Sequence, residues 1–418
     1  MTPADSSVAP PHRVPWWPVA VAAALLAAGV AVRVGCLGAD GLTRAETAWA
    51  WCYSDVLALG HARDLAAAPL PYVDVMTEYP PLTALQWLVA GWLSTGPTGF
   101  FGVTAALQVA AWLGCVRLVA GEAAELGLAG RHLLVVAAAP PLVLVATTNW
   151  DALAVLGLTA GLVASRRGRP VLAGAALGLG ALVKVFPLVA VAGLAGLRWD
   201  RGEGRAAAQL VGTAAATVLA VQVPVAVLAP EGWDAWLVLN GERPVDWDTA
   251  WYGLQVLTGR ALTVDVANVL VAVAVVGGWT AIAWVALHRG DEGHGIAGRG
   301  IDERGLVLAL LAWLLVAGKV HSPQFSLWLL PLLALARVDL RLVAAWALAD
   351  TAVVLTRFPF LAGQQGVEPA LGYEPFGLAV AVRAVLLVAV VAAGIRTPRP
   401  APAPPGTPPA TGVAARPG

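Results

Sequence analysis

Lysine is almost missing from this chain of 418 residues: of 26 basic side chains only Lys184 and Lys319 are lysine, the other 24 being arginine. Acidic residues also number 26, so the formal net charge is zero, and neither nucleic acid nor a simple anionic surface is an expected partner. Charged residues of both signs make up only 12% of the chain against 59% hydrophobic, with a mean hydropathy of +0.74, which excludes an ordinary soluble domain. No Gly-rich phosphate loop ending in Lys-Ser/Thr is present, which argues against an ATP-driven pump. There is no Cys/His metal cluster and no strong inverted repeat of the transporter kind, and neither metal nor cofactor is expected. The three cysteines fall at unrelated spacings. Cys36 and Cys52 could pair outside a membrane, but the stronger expectation is that all three are small buried apolar residues.

What is present is apolar sequence long enough to cross a bilayer, repeated from residue 17 to residue 395. Backbone polar groups find no water in lipid and period-2 alternation is absent, so the runs predict helices and not a barrel. The run at Val19–Val32 follows a single arginine without a small-residue cleavage site and reads as a retained helix. About thirteen segments are visible, near residues 16–36, 81–97, 100–119, 132–148, 150–165, 171–184, 187–198, 205–229, 262–287, 305–320, 322–337, 340–356 and 376–395. The expected architecture is all-α and polytopic, with about 12–13 membrane helices spanning residues 16–396 between disordered tails at 1–15 and 397–418. Arginine clusters at 166–169, 198–205, 289–304, 337–341 and 396–399 mark cytoplasmic ends, leaving loops 37–80, 229–261 and 357–375 outside. Between residues 81 and 166 four segments are visible where an odd number is required: either one does not cross or a weak helix hides near Gly121–Arg131.

Both lysines occupy similar settings, "ALVKVFP" and "AGKVHSP", at outer bends of apolar helix pairs. Two readings stand: lysines snorkelling at an interface, or compact ammonium groups placed to bind a phosphate in one polar cavity. His321, two residues beyond Lys319 and before Ser322-Pro323, is a candidate for the same site. The first outer loop holds Asp55, Asp64, Asp74 and Glu78. Around Asp55, residues Trp49, Tyr53, Val56 and Leu57 recur at helical spacing and predict a surface helix that holds this carboxylate partly desolvated, as a general base requires. Asp64 and Asp74 fit a solvated face better. Tyr79-Pro80-Pro81 forces extended backbone before the next helix and fixes the entry of Glu78. In the loop "GWDAWLVLNGERPVDWDTAWYGLQ", the tryptophans, Trp247 among them, are either an interfacial belt or a sugar platform, with Arg243, Asp246 and Asp248 as hydrogen-bonding groups. "TTNWD" adds Asn149 and Asp151 as candidates for the same cavity.

Together "YSDV…ARDLAAAPLPYVDVMTEYPPLT", "GAALGLGALVKVFPL", "NGERPVDWDTAWYGLQ" and "KVHSPQFSLWLLPLLALAR" resemble bacterial glycosyltransferase family 87, enzymes of the GT-C class that use polyprenyl-phosphate sugars, over roughly residues 15–395. The resemblance implies a GT-C-like membrane fold whose first extracytoplasmic loop carries surface helices and the catalytic acid. It implies Asp55 as general base with His321 as a second catalytic residue. Lys184 and Lys319 would face the donor phosphate, joined by Arg243 and Arg357. Glu78, Tyr79, Asn149, Asp151, Trp247, Asp248 and Gln324 complete the expected substrate site. The implied reaction is transfer of a sugar, mannose by family habit, to a cell-envelope glycolipid or polysaccharide on the extracytoplasmic side of the cell membrane. A lipid or solute transporter and a non-catalytic envelope-assembly scaffold are the rival classes.

Overall fold

The computed structural model describes residues 14–37, 45–288 and 301–397. The expected tails, apart from Val14, Pro15 and Thr397, lie outside the described residues, as do Arg289, Arg299 and Arg399. Among the described residues no strand forms beyond an isolated bridge between Pro71 and Val75, and the protein is an all-α, polytopic membrane protein.

Helix α1 (Trp17–Val34) leads into a first loop carrying α2 (Ala45–Trp49), α3 (Asp55–Ala62) and a 3-10 turn at Leu65–Ala67. Next come α4 (Pro81–Trp92), α5 (Gly96–Glu125) and two short pieces, α6 (Leu133–Ala137) and α7 (Pro141–Leu144). Four helices follow in close succession, α8 (Ala152–Arg166), α9 (Pro170–Val183), α10 (Pro187–Asp200) and α11 (Gly204–Leu228). The loop expected outside at 229–261 is itself largely helical, with α12 (Pro230–Glu242) and α13 (Ala250–Thr258). The chain closes with α14 (Val264–His288), α15 (Glu303–Ala317), a 3-10 stretch at Pro323–Trp328 continuing as α16 (Leu330–Leu335), then α17 (Leu340–Gln364) and α18 (Tyr373–Ile395). Six of these, α1, α5, α11, α14, α17 and α18, are long and apolar enough to cross a membrane. α11 and α14 bury few of their apolar side chains within the protein, as helices facing lipid do.

Several of the expected cytoplasmic arginines gather at one end of the bundle and pair with carboxylates there. Arg167 meets Glu125 at 2.7 Å, Arg201 meets Glu303 at 3.0 Å and Arg304 meets Asp302 at 2.5 Å, while Arg166 bridges Glu122 and Glu125. Asp55, Lys184 and Lys319 lie at the other end. Of the two routes to an odd number of crossings between 81 and 166, the structure takes the first. α4 has 12 residues, roughly 18 Å at 1.5 Å per residue, and its far end turns back under the first loop. A Cβ at Gly91 would stand 2.6 Å from the Leu65 carbonyl oxygen, so glycine permits this approach. No separate crossing helix forms near Gly121–Arg131: α5 continues unbroken to Glu125, and only a 3-10 turn follows at Gly130–His132. The run 132–148 breaks at Pro140-Pro141 into α6 and α7, since proline donates no backbone bond and clashes with the preceding turn.

Other boundaries also differ from expectation. The surface helix predicted through Trp49 and Leu57 is interrupted at 50–54, and Asp55 is the first residue of α3. α17 runs on to Gln364, so Arg357 is a helix residue and the third outer loop shrinks to 365–372. Cys36 and Cys52 form a disulfide, correcting the expectation of free buried thiols; their Cα atoms stand 5.5 Å apart, a separation bridged cysteines commonly show. Only Cys115 is free and buried.

Two apolar cores result. The large one fills the bundle; a smaller one, including Val56, Leu65, Tyr79, Trp87, Phe100 and Trp150, fastens the first loop to α4, α5 and the start of α8.

Candidate active site

Asp55 is fixed from both sides. Ser54, in extended conformation before α3, donates its hydroxyl to the carbonyls of Thr147 and Thr148 at 3.3 and 3.2 Å, and the Val56 amide donates to Thr148 at 3.3 Å. This stitches the first loop to the polar break before α8, and it sets Asn149 beside Asp55. Asn149 donates from Nδ2 to Asp55 Oδ2 at 2.5 Å and lies 2.9 Å from the Tyr79 hydroxyl. Tyr53 donates to Asp55 Oδ1 at 2.8 Å and stacks on Phe358 of α17, the neighbour of Arg357. Burial raises the Asp55 pKa above the ordinary carboxylate range, opposed by the hydrogen bonds from Tyr53 and Asn149 and by the charges of Lys184 and Arg357.

These groups open onto a cavity of about 840 Å³, large enough for a drug-sized ligand. Of the residues singled out in the sequence, Asp55, Glu78, Tyr79, Asn149, Lys184, Arg243, Lys319, Gln324 and Arg357 line it. They come from the first loop, the breaks before α4 and α8, the α9–α10 bend, the end of α12, the α15 bend and α17. Lys184 and Lys319, separated by 135 positions (319 − 184), therefore do face one space.

The four cations are not equivalent. Lys184 is paired with buried Asp151 at 2.9 Å and stands over the rings of Tyr79 and Phe325, at 4.9 and 5.3 Å from their centroids. Arg357 is held by Asp248 at 2.7 Å and Asp246 at 3.8 Å. Arg243 is 46% exposed and reaches Asp246 only at 3.5 Å. Lys319 has no ion pair among the described residues; its ammonium donates to Asn268 at 2.6 Å and to the Gly241 carbonyl at 3.0 Å. Partial burial and then the charge of Arg243 lower the Lys319 pKa. Two cations thus crowd one wall, an arrangement that an anion would relieve.

Four candidate residues do not line the cavity. His321 is buried, its ring bonded to the backbone of Leu315 and parallel to Phe325 at 6.4 Å between centroids, beside the α15 bend. Asp151 lies one layer below, accepting from Lys184 and from the Trp328 indole at 2.8 Å. Trp247 packs edge-on against Tyr252 and Phe360. Asp248 is buried under Arg357, its carboxyl pushed up to about 6 by burial, while its carbonyl accepts from Arg383 at 2.7 Å. The enclosed Asp248 carboxylate is turned to Arg357 and away from the cavity. Of the loop tryptophans read from the sequence as an interfacial belt or a sugar platform, Trp236 lines the cavity; Asn240 of α12 lines it without having been singled out, and Tyr53 holds Asp55. Glu78 is tied to Arg63 at 2.7 Å. The signal for Tyr53 was its place two residues before Asp55; Asn240 had no local signal in the sequence.

The model of glycosyltransferase family 87 matches residues 77–316, more than half of the chain. Among solved structures, the crystal structure of ArnT from Cupriavidus metallidurans bound to undecaprenyl phosphate is similar over 91% of this chain and 76% of its own, at 13% identity and a TM-score of 0.44. No curated protein matches by sequence.

Proposed function

From the premise that the chain belongs to glycosyltransferase family 87, and is therefore a membrane glycosyltransferase, we propose that it moves a sugar from a polyprenyl-phosphate donor to a hydroxyl of a cell-envelope glycolipid or polysaccharide. The observation that carries this reading is that Asp55 and four cations from distant parts of the chain line one cavity. The donor phosphate lies against Lys319 and Arg243, where the positive charge is least compensated, with Arg357 and Lys184 behind. Asp55 removes the proton of the acceptor hydroxyl as its oxygen attacks the anomeric carbon. The bond from that carbon to the phosphate oxygen breaks, its electron pair leaves with the polyprenyl phosphate, and the configuration inverts. Since the leaving group departs as a phosphate anion, fixed cations serve it better than a general acid would. Tyr53 and Asn149 orient the carboxylate, each leaving it a free lone pair for the incoming proton.

We assign the site to the extracytoplasmic face. The arginine-rich end of the bundle is opposite, and the Cys36–Cys52 disulfide closes three residues before Asp55, in keeping with an oxidising compartment. Mannose is the sugar proposed, on family habit. Membranes carrying the protein, incubated with radiolabelled polyprenyl-phosphate mannose, are expected to yield a larger labelled product that Asp55→Asn membranes do not make. Movement of label across the membrane without a covalent product would refute the reading in favour of transport.

A further inference from the structure

Hydrogen-bond direction at Asn149 is fixed by its neighbours. Its Oδ1 accepts from the Trp150 backbone amide at 2.7 Å, while its Nδ2 stands 2.5 Å from Asp55 Oδ2 and 2.9 Å from the Tyr79 hydroxyl. Turning this amide over would aim its NH2 at the Trp150 N–H and its oxygen at a carboxylate, two contacts between groups of like polarity. Both hydrogens on Nδ2 are therefore used, one by Asp55 and one by the Tyr79 oxygen. A phenol that accepts in this way still carries its own hydrogen, and no group among the described residues accepts it. Tyr79 lines the cavity, and its ring is held edge-on by Trp87 and Trp150 at 5.6 and 5.5 Å between centroids. Its backbone carbonyl accepts from the Tyr72 hydroxyl at 2.6 Å. Neither ring nor backbone is free to swing away, so the phenolic hydrogen is left for whatever occupies the cavity.

We propose that Tyr79 donates this hydrogen to the attacking oxygen of the acceptor, which makes it a catalytic residue beside Asp55; the inference rests on the reading of Asp55 as the base. The two hydrogens of a planar NH2 group diverge by about 120°, so arms of 2.5 and 2.9 Å set the Tyr79 oxygen about 4.7 Å from Asp55 Oδ2. A hydroxyl oxygen about 2.75 Å from each, an ordinary O–H···O length, sees them about 117° apart, close to the tetrahedral spread of its own bonds and lone pairs. All four of its directions are then assigned: the bond to its carbon, its hydrogen toward Asp55, one lone pair toward Tyr79 and the other toward the anomeric carbon. During transfer that last lone pair forms the new carbon–oxygen bond and the proton passes to Asp55 Oδ2. The bond to the phosphate oxygen breaks with its electron pair leaving on the phosphate, and Tyr79 keeps its proton throughout. Its contribution is orientation, since occupying one lone pair leaves a single one to attack. The donor phosphate is served from elsewhere, by Lys319 beyond α15 and Arg243 at the end of α12.

The test uses Tyr79→Phe, which keeps the ring between its two tryptophans and leaves Asn149 bonded to Asp55 and to the Trp150 amide. Purified enzyme with saturating radiolabelled polyprenyl-phosphate mannose is titrated with detergent-solubilised membranes from cells lacking the enzyme, which supply the acceptor; the donor is then varied at fixed acceptor. The initial slope of rate against acceptor is expected to fall about tenfold, as loss of one hydrogen bond predicts. Donor KM should stay within twofold of wild type, and the acid limb of the pH profile should not move, because Asp55 keeps both of its hydrogen bonds. A slope within twofold of wild type overturns the proposal. So does a raised donor KM, which would give the phenolic hydrogen to the donor, and so does a shifted acid limb, which would make Tyr79 a brace for Asp55 alone. If the wild-type enzyme makes no labelled product, or Asp55→Asn makes it as well as wild type, the functional reading itself fails, and that result is visible before Tyr79 is changed.

Discussion

Replacing Asp55 by asparagine removes a proton acceptor and almost nothing else. The carboxylate receives two hydrogen bonds, from Tyr53 at 2.8 Å and Asn149 at 2.5 Å. An asparagine turned so that its oxygen faces Asn149 keeps that bond, and its amide then donates to the Tyr53 hydroxyl, which rotates to accept. The change in folding stability is therefore about 1 kcal/mol or less, the net worth of one rearranged hydrogen bond. Loss of a general base costs about 10²–10⁴-fold in rate, equivalent to about 3–5 kcal/mol in the transition state. The assay is the initial rate of labelled-sugar transfer at saturating donor, alongside a thermal melt in detergent. Expected are a kcat at least a hundredfold down, a donor KM within threefold of wild type and a melting temperature within a few degrees. A kcat within fivefold of wild type, in a variant that melts normally, would show that Asp55 does not accept the proton.

Because burial raises the Asp55 pKa, the base is lost as pH falls through a value above the ordinary carboxylate range near 3.9, so kcat/KM is expected to decline on its acid side earlier than an exposed aspartate would dictate; a limb at or below pH 4 contradicts this. Lys319→Ala removes the cation with no ion-pair partner among the described residues, and should raise donor KM more than Lys184→Ala does, since Asp151 already neutralises Lys184; steady-state titration of donor ranks the two. Asp248→Ala leaves the Arg357 guanidinium buried without its nearest partner and should cost about 3–5 kcal/mol of stability, read as a large drop in melting temperature; a melt within two degrees of wild type removes the anchoring role. Serine at both Cys36 and Cys52 releases a loop of 16 residues and should cost about 3 kcal/mol by chain entropy, measured against the oxidised wild type, with a reducing agent producing the same loss.

The helix inventory was legible because lipid-facing segments announce themselves by length and uniform apolarity, and the α9–α10 bend at Lys184 was legible because arginines on both sides forced a return. Apart from Arg357, which lies inside α17, the cavity-lining residues named from the sequence share one property, a polar side chain at a break between apolar runs. That same property drew in His321 and Asp248, which are polar at breaks but buried beside the α15 bend and under Arg357. Direction within a loop depends on tertiary partners such as Leu315 and Arg383, which have no local sequence signature. The partial span of α4 was hidden for the opposite reason, its composition being as apolar as that of a full crossing while only Gly91 permits the return beneath Leu65.

The turn-back of α4 bears on any attempt to map which residues face which compartment. A reporter inserted in the short turn at 93–95 should answer from the same side as one placed ahead of Pro80. Diagrams drawn from hydropathy alone, scoring 81–97 as a passage, would mirror the rest of the chain and move the cavity to the opposite face of the membrane.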